Sequence, residues 1–156
     1  MKIRSFLASF RAAGRGVLDT INHERNMRFH LIAAVFVLYF SRYYELTRAE
    51  KSVLILVISL VIGLEFLNTA VETTVDLCCP QLHPLAKRAK DAAAAGVLAA
   101  AIGSVFIGIH IFWRPEVLKE IVLSFWTNPL KLFLLIAAIA AGIWFIFFWE
   151  EKVIDK

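Results

Sequence analysis

From Val53 to Leu64 the chain is apolar except at Ser59, and this run passes without a break into Glu65, Asn68, Glu72 and Asp76, spaced three and four residues apart. On a helix, at 100° per residue, those four side chains form one narrow polar file on an otherwise apolar cylinder. A carboxylate facing hydrocarbon costs roughly 2.5–3.5 kcal/mol on insertion scales, so three in one file require compensating partners or a function. Three carboxylates and an amide suit a metal ion, a proton or a phosphorylated ligand.

The rest of the chain sets this file in a membrane. Of 156 residues 60% are hydrophobic, and the mean hydropathy is +0.70, values that belong to a small membrane protein and not to a soluble globule. Four apolar segments can be tested against the ~20 residues that cross a bilayer. They are about 29–44, which is short unless its ends are included, 52–78, 92–113 and 130–149. The first starts too late for a secretory signal. Lys2, Arg4, Arg11, Arg15, Arg25 and Arg28 precede it, which predicts a cytoplasmic N-terminus. With four spans, Lys87, Arg88, Lys90, Lys152 and Lys156 join them inside, whereas Arg42, Arg48, Lys51, Arg114, Lys119 and Lys131 lie outside. Glu72 and Asp76 then stand at the cytoplasmic face. Cys78 and Cys79 are adjacent there; they cannot staple distant segments, lack zinc-site spacing, and read as free thiols.

Outside the spans, Ile3, Phe6, Leu7, Phe10, Gly14, Val17, Leu18 and Ile21 recur at helical spacing with Arg4, Arg11 and Arg15 largely off that face. This pattern predicts an amphipathic helix, lying on the leaflet or folded against the bundle. In the polar junction that follows, Glu24 and Arg28 have the i, i+4 spacing of a surface charge pair, and Glu24 could instead join the polar file around a divalent ion. Lys87, Arg88, Lys90 and Asp91 form a cluster that suits either a polyphosphate or a positive-inside anchor. Ala92, Gly96, Ala100 and Gly103 come close to small-xxx-small spacing, for tight packing within the chain or between chains. Residues 117–126 predict a short interfacial helix, and the last segment, without an ionisable residue between Lys131 and Glu150, predicts packing or anchoring. No P-loop and no G-x-G-x-x-G pattern is present, so any nucleotide phosphates must be placed by carboxylate-held Mg²⁺ and basic side chains.

Three motifs carry a resemblance: Glu24-Arg-Asn-Met-Arg-Phe-His30, Glu65-x-x-Asn68-Thr-Ala-x-Glu72-x-x-x-Asp76, and Ala86-Lys-x-Ala-Lys90-Asp91. From about Phe10 to Trp113 the chain resembles the prokaryotic diacylglycerol kinase and undecaprenol kinase family of small integral-membrane lipid kinases. The resemblance implies an all-α membrane fold with an N-terminal amphipathic surface helix and three transmembrane helices, in a lipid kinase domain over residues 1–113. Residues 114–156 are then an extension with an interfacial helix and a fourth transmembrane helix, which the family pattern lacks. It implies a homotrimer with shared active sites at the cytoplasmic face of the bacterial inner membrane, and no nucleic-acid partner. Glu65 matches the general base for a lipid hydroxyl attacking the γ-phosphate of ATP, and Glu24 and Glu72 match the Mg²⁺-binding carboxylates. Asn68, Asp76, His83, Lys90 and Asp91 match supporting and nucleotide-binding positions. The wording of the first motif is nearer the undecaprenol kinase branch, which makes undecaprenol the favoured acceptor over diacylglycerol. Two other classes compete: a non-enzymatic scaffold or regulatory protein, against which the intact polar positions argue, and a proton-relay transporter, which a file at one end of a span disfavours.

Overall fold

The computed structural model describes residues 2–149, with the side chains described from Phe6 onward. Lys152 and Lys156 of the charge count therefore lie outside the described residues, as do the side chains of Lys2, Ile3 and Arg4. The helices are α1 (Lys2–His23), α2 (Arg25–Phe40), α3 (Arg48–Cys78), α4 (Pro84–Phe112), α5 (Pro115–Trp126) and α6 (Pro129–Phe148), with a 3-10 turn at Ser41–Tyr43. No strand occurs among the described residues.

Local chemistry sets the helix starts. Pro84, Pro115 and Pro129 each open a helix, where the missing N–H costs nothing and the fixed φ already suits the first turn. Asn128 accepts at Oδ1 from the Lys131 N–H (3.1 Å). At α3 a full capping box forms: Glu50 N–H donates to Thr47 Oγ1 (3.2 Å) and Thr47 N–H donates to Glu50 Oε2 (2.7 Å). Thr47→Ala removes half of this box and is expected to cost about 1 kcal/mol, read as a lowered Tm of the detergent-solubilised protein.

Three helices, α3, α4 and α6, are long and apolar enough to cross a bilayer. The first expected span is the short one. At 16 residues α2 reaches about 24 Å along its axis and approaches the ~30 Å of a hydrocarbon core only with the 3-10 turn that continues it. The chain is an all-α membrane protein.

The main packing is between α3 and α4, with α2 laid against α3 and α6 against α2. One end of the bundle is closed by α5. There Ile121 and Phe125 join Tyr44, Leu46, Leu54 and Ile111 in a buried cluster. Arg114 pairs with Glu50 (2.6 Å), and the Tyr44 hydroxyl donates to the Phe112 carbonyl (3.1 Å). A helix is thus present where 117–126 predicted one, and its inner face is a cap on the bundle. The opposite end holds the start of α2, the ends of α3 and α6, and the start of α4, and here the polar residues gather.

Every side chain of α1 from Phe6 to Asp19 is exposed, and only the last turn docks, where Thr20 is buried. Within the chain α1 does not fold along the bundle; its bare Phe6, Leu7, Phe10 and Leu18 suit a helix lying in a membrane surface. Gly96 and Gly103 do not serve packing within the chain either, since a Cβ at either would meet nothing within 4 Å. Gly142 does. A Cβ there would come 3.1 Å from Ile32 Cγ2, so α6 approaches α2 closely at this glycine.

Candidate active site

The polar file divides into a buried part and an exposed part. Eleven positions of α3 separate Glu65 from Asp76, about 16 Å along the axis. Glu65 is only 3% exposed and Asn68 8%, whereas Glu72 is half-buried and Asp76 is exposed. The file thus descends from the surface towards the apolar interior.

In the buried part, Asn68 donates from Nδ2 to Glu72 Oε1 (2.7 Å), one helical turn away. Its Oδ1 is buried and has no hydrogen-bond partner, the condition of an acceptor waiting for a cation or a donor. The Glu65 carboxylate has no hydrogen-bond partner among the described residues, and the charges of both Glu24 and Glu72 act on it. Glu24 reaches this position as the residue between α1 and α2. Its backbone is extended (φ −103°, ψ 110°) and its side chain makes no capping bond to α2. Glu24 therefore stands close enough for its charge to act on Glu65, which is consistent with the reading that joins it to the file. The other reading, a Glu24–Arg28 charge pair, fails. Arg28 is buried and donates from Nη1 to the carbonyls of Ile21 (2.9 Å) and Asn22 (2.7 Å). Those carbonyls end α1 and lack helical partners, so they outcompete a half-exposed carboxylate for the guanidinium.

In the exposed part, the Lys90 ammonium donates to both carboxylate oxygens of Asp76, each at 2.9 Å, and so locks the start of α4 to the end of α3. This pair lines a polar pocket of about 360 Å³ in the α3–α4 turn, together with His83, Lys87, Asp91 and Cys79. His83 has a structural duty as well: its Nδ1 accepts the Leu85 N–H (3.2 Å) and caps α4, so Nε2 is the ring atom left for a ligand. Lys90 also feels the charge of Glu72, which joins the two parts of the site. Lys87 comes from the basic cluster that the sequence offered for a polyphosphate, and it lines the pocket as Lys90 does. Cys79 was not expected there, and nothing in the sequence distinguishes it.

Among the described residues no three His, Cys, Asp or Glu side chains form a group that could enclose a metal ion. The donors present are the carboxylates of Glu24, Glu65 and Glu72, the first and last of which act on Glu65 by charge, and the unpartnered Asn68 Oδ1. That set fits Mg²⁺, which binds through one or two carboxylates plus water and substrate phosphates and seldom through an all-protein cage. A second, apolar groove of about 330 Å³ runs between α2, α3 and α4 and reaches Val61, one turn from Glu65.

Comparison with known proteins agrees with this arrangement. The model of the family described as prokaryotic diacylglycerol kinase matches residues 11–112. An undecaprenol kinase of Bacillus subtilis is 46% identical over 111 residues, covering 71% of this chain and 90% of that one. A diacylglycerol kinase of Synechocystis is 44% identical over 105 residues, 67% of this chain and 60% of its own length. A diacylglycerol kinase of Haemophilus influenzae is 33% identical over 100 residues, 63% of this chain and 85% of that one. Matched over most of its length, and with a carboxylate file that runs from a buried Glu65 to a pocket holding charges of both signs, this chain belongs to the prokaryotic diacylglycerol kinase family of membrane lipid kinases.

Proposed function

We propose that the protein transfers the γ-phosphate of ATP to a lipid alcohol at the cytoplasmic face of the inner membrane, with undecaprenol the favoured acceptor and diacylglycerol the alternative. The observation that carries this reading is the buried Glu65 carboxylate one turn beyond an apolar groove that reaches Val61, with a pocket lined by charged side chains at the far end of the same file. The acceptor preference rests on the 46% identity to the undecaprenol kinase of Bacillus subtilis. The basic residues that precede α2 and start α4 support a cytoplasmic site.

In this reading the lipid lies in the groove with its hydroxyl against Glu65. Glu65 takes the hydroxyl proton as the oxygen bonds to the γ-phosphorus and the bond to the ADP oxygen breaks. Burial keeps bulk water from competing as the nucleophile. Glu24 and Glu72 would hold Mg²⁺, aided by Asn68 Oδ1, and the ion when bound supplies neutralisation of the transferring phosphate. Lys90, freed in part from Asp76, faces the phosphates from the pocket, with His83 and Asp91 as further nucleotide contacts. The kinase domain is residues 1–113 and the extension 114–156, and the working unit is a homotrimer with shared sites. The free space beside Gly96 and Gly103 on α4, where an added Cβ would meet nothing within 4 Å, supports contact between chains.

The test supplies the detergent-purified protein with Mg²⁺ and labelled ATP, with undecaprenol and diacylglycerol in parallel. Label is expected in undecaprenyl phosphate ahead of phosphatidic acid. The reverse order makes diacylglycerol the acceptor, and no transfer to either by folded protein overturns the kinase reading.

A further inference from the structure

Four contacts tie α6, which lies wholly beyond the family-matched residues, to the junction that carries Glu24. Besides its bonds to the end of α1, Arg28 reaches with Nε to the Ile146 carbonyl in the last turn of α6 (3.4 Å). Trp149 donates from Nε1 to Asn22 Oδ1 (3.2 Å). The Arg25 guanidinium lies 5.8 Å from the centroid of the Phe147 ring. Further along α2, Ile32 seats against Gly142. On the α1–α2 side all of these partners fall within residues 21–32, on either side of Glu24.

The physical effect of the arrangement is positional. The C-terminal ends of α1 and α6 both expose carbonyls and carry the negative end of a helix dipole. One guanidinium placed between them satisfies both ends and fixes their spacing, which a lysine's single point charge would do less well. Glu24 itself is extended, and its side chain makes no capping bond. Its place relative to Glu65, on which its charge acts, is therefore set by where the flanking helices are held.

We propose that α6 is a brace that positions Glu24 and thereby sets the affinity of the site for its divalent cation. This rests on the reading of Glu24 as a metal-holding carboxylate. Trp149, Arg28 and Gly142 are positioning residues: the first two act through hydrogen bonds and the third through the space it leaves for Ile32.

The experiment measures Mn²⁺ binding to the full-length protein in detergent, from the loss of the free-ion EPR signal, in the presence of a non-hydrolysable ATP analogue. Gly142→Leu drives a side chain into Ile32 and lifts α6 from α2; Trp149→Phe removes only the N–H; Glu24→Gln is the reference. Loss of an outer support to a metal ligand costs roughly tenfold or more in affinity. Gly142→Leu is therefore expected to weaken Mn²⁺ binding about tenfold. The KM for ATP at saturating Mg²⁺ is expected to stay unchanged, and activity to return as Mg²⁺ is raised. If Glu24→Gln weakens Mn²⁺ binding and Gly142→Leu leaves it unchanged, the brace is overturned while the metal role of Glu24 stands. If Glu24→Gln itself has no effect, the metal role fails, and the brace falls with it. Should Gly142→Leu fail to fold, Trp149→Phe decides by the same readout.

Discussion

Glu65→Gln is expected to lower kcat for lipid phosphorylation by about 10²–10⁴-fold, the range that a positioned general base contributes. Its effect on stability should have the opposite sign. Glu65 is 3% exposed, its carboxylate has no hydrogen-bond partner among the described residues, and the charges of Glu24 and Glu72 both act on it. A neutral amide of the same shape removes the repulsion and the desolvation of a charge, so the Tm should equal or exceed that of the parent. A dead enzyme that is at least as stable identifies a functional carboxylate, whereas a structural one would lose stability on substitution. Steady-state turnover with labelled ATP and thermal unfolding in the same detergent give both numbers. Normal turnover by the variant would refute Glu65 as the base.

The second large effect belongs to Lys90. It holds both oxygens of Asp76 at 2.9 Å, on side chains 33% and 67% exposed. Pairs this open are worth about 0–1 kcal/mol, so Lys90→Met should leave the Tm nearly unchanged. If the ammonium also stabilises charge on the transferring phosphate, the same variant should lose about 10²–10³ in kcat/KM for ATP, as removal of an electrostatic donor does. Asp76→Asn should lose less, because it leaves the lysine in place. The double variant should be no worse than Lys90→Met alone, since Asp76 then acts only through Lys90. A Lys90→Met enzyme with normal kcat/KM would reduce the pair to a clasp between α3 and α4.

The two predictions draw on different levels of the molecule. The carboxylate file was legible because a helix repeats every 3.6 residues, so spacing alone places Glu65, Asn68, Glu72 and Asp76 on one face. The helix starts are fixed just as locally: Thr47 with Glu50, and the prolines at 84, 115 and 129, act within a turn of themselves. Arg28 shows where local reasoning fails. Its i, i+4 spacing from Glu24 was a sound pairing rule, yet its partners are the carbonyls of Ile21, Asn22 and Ile146, and the last is 118 residues away. No periodicity encodes a contact over that distance. Gly142 reads in sequence as one small residue in an apolar helix, and only the approach of Ile32 gives it a task.

Local order, then, was decided by the sequence: which segments are helices, which face of α3 is polar, and which segments suit lipid. These follow from backbone geometry and the cost of placing charge in hydrocarbon, and both act on neighbours in the chain. The tertiary structure decided which polar groups meet. It brought the charge of Glu24 within reach of Glu65, Lys90 onto Asp76, and the end of α6 against the start of α2. Those meetings depend on how helices lie against one another. That packing is a balance of many weak contacts summed over whole helix faces, which no single stretch of residues carries.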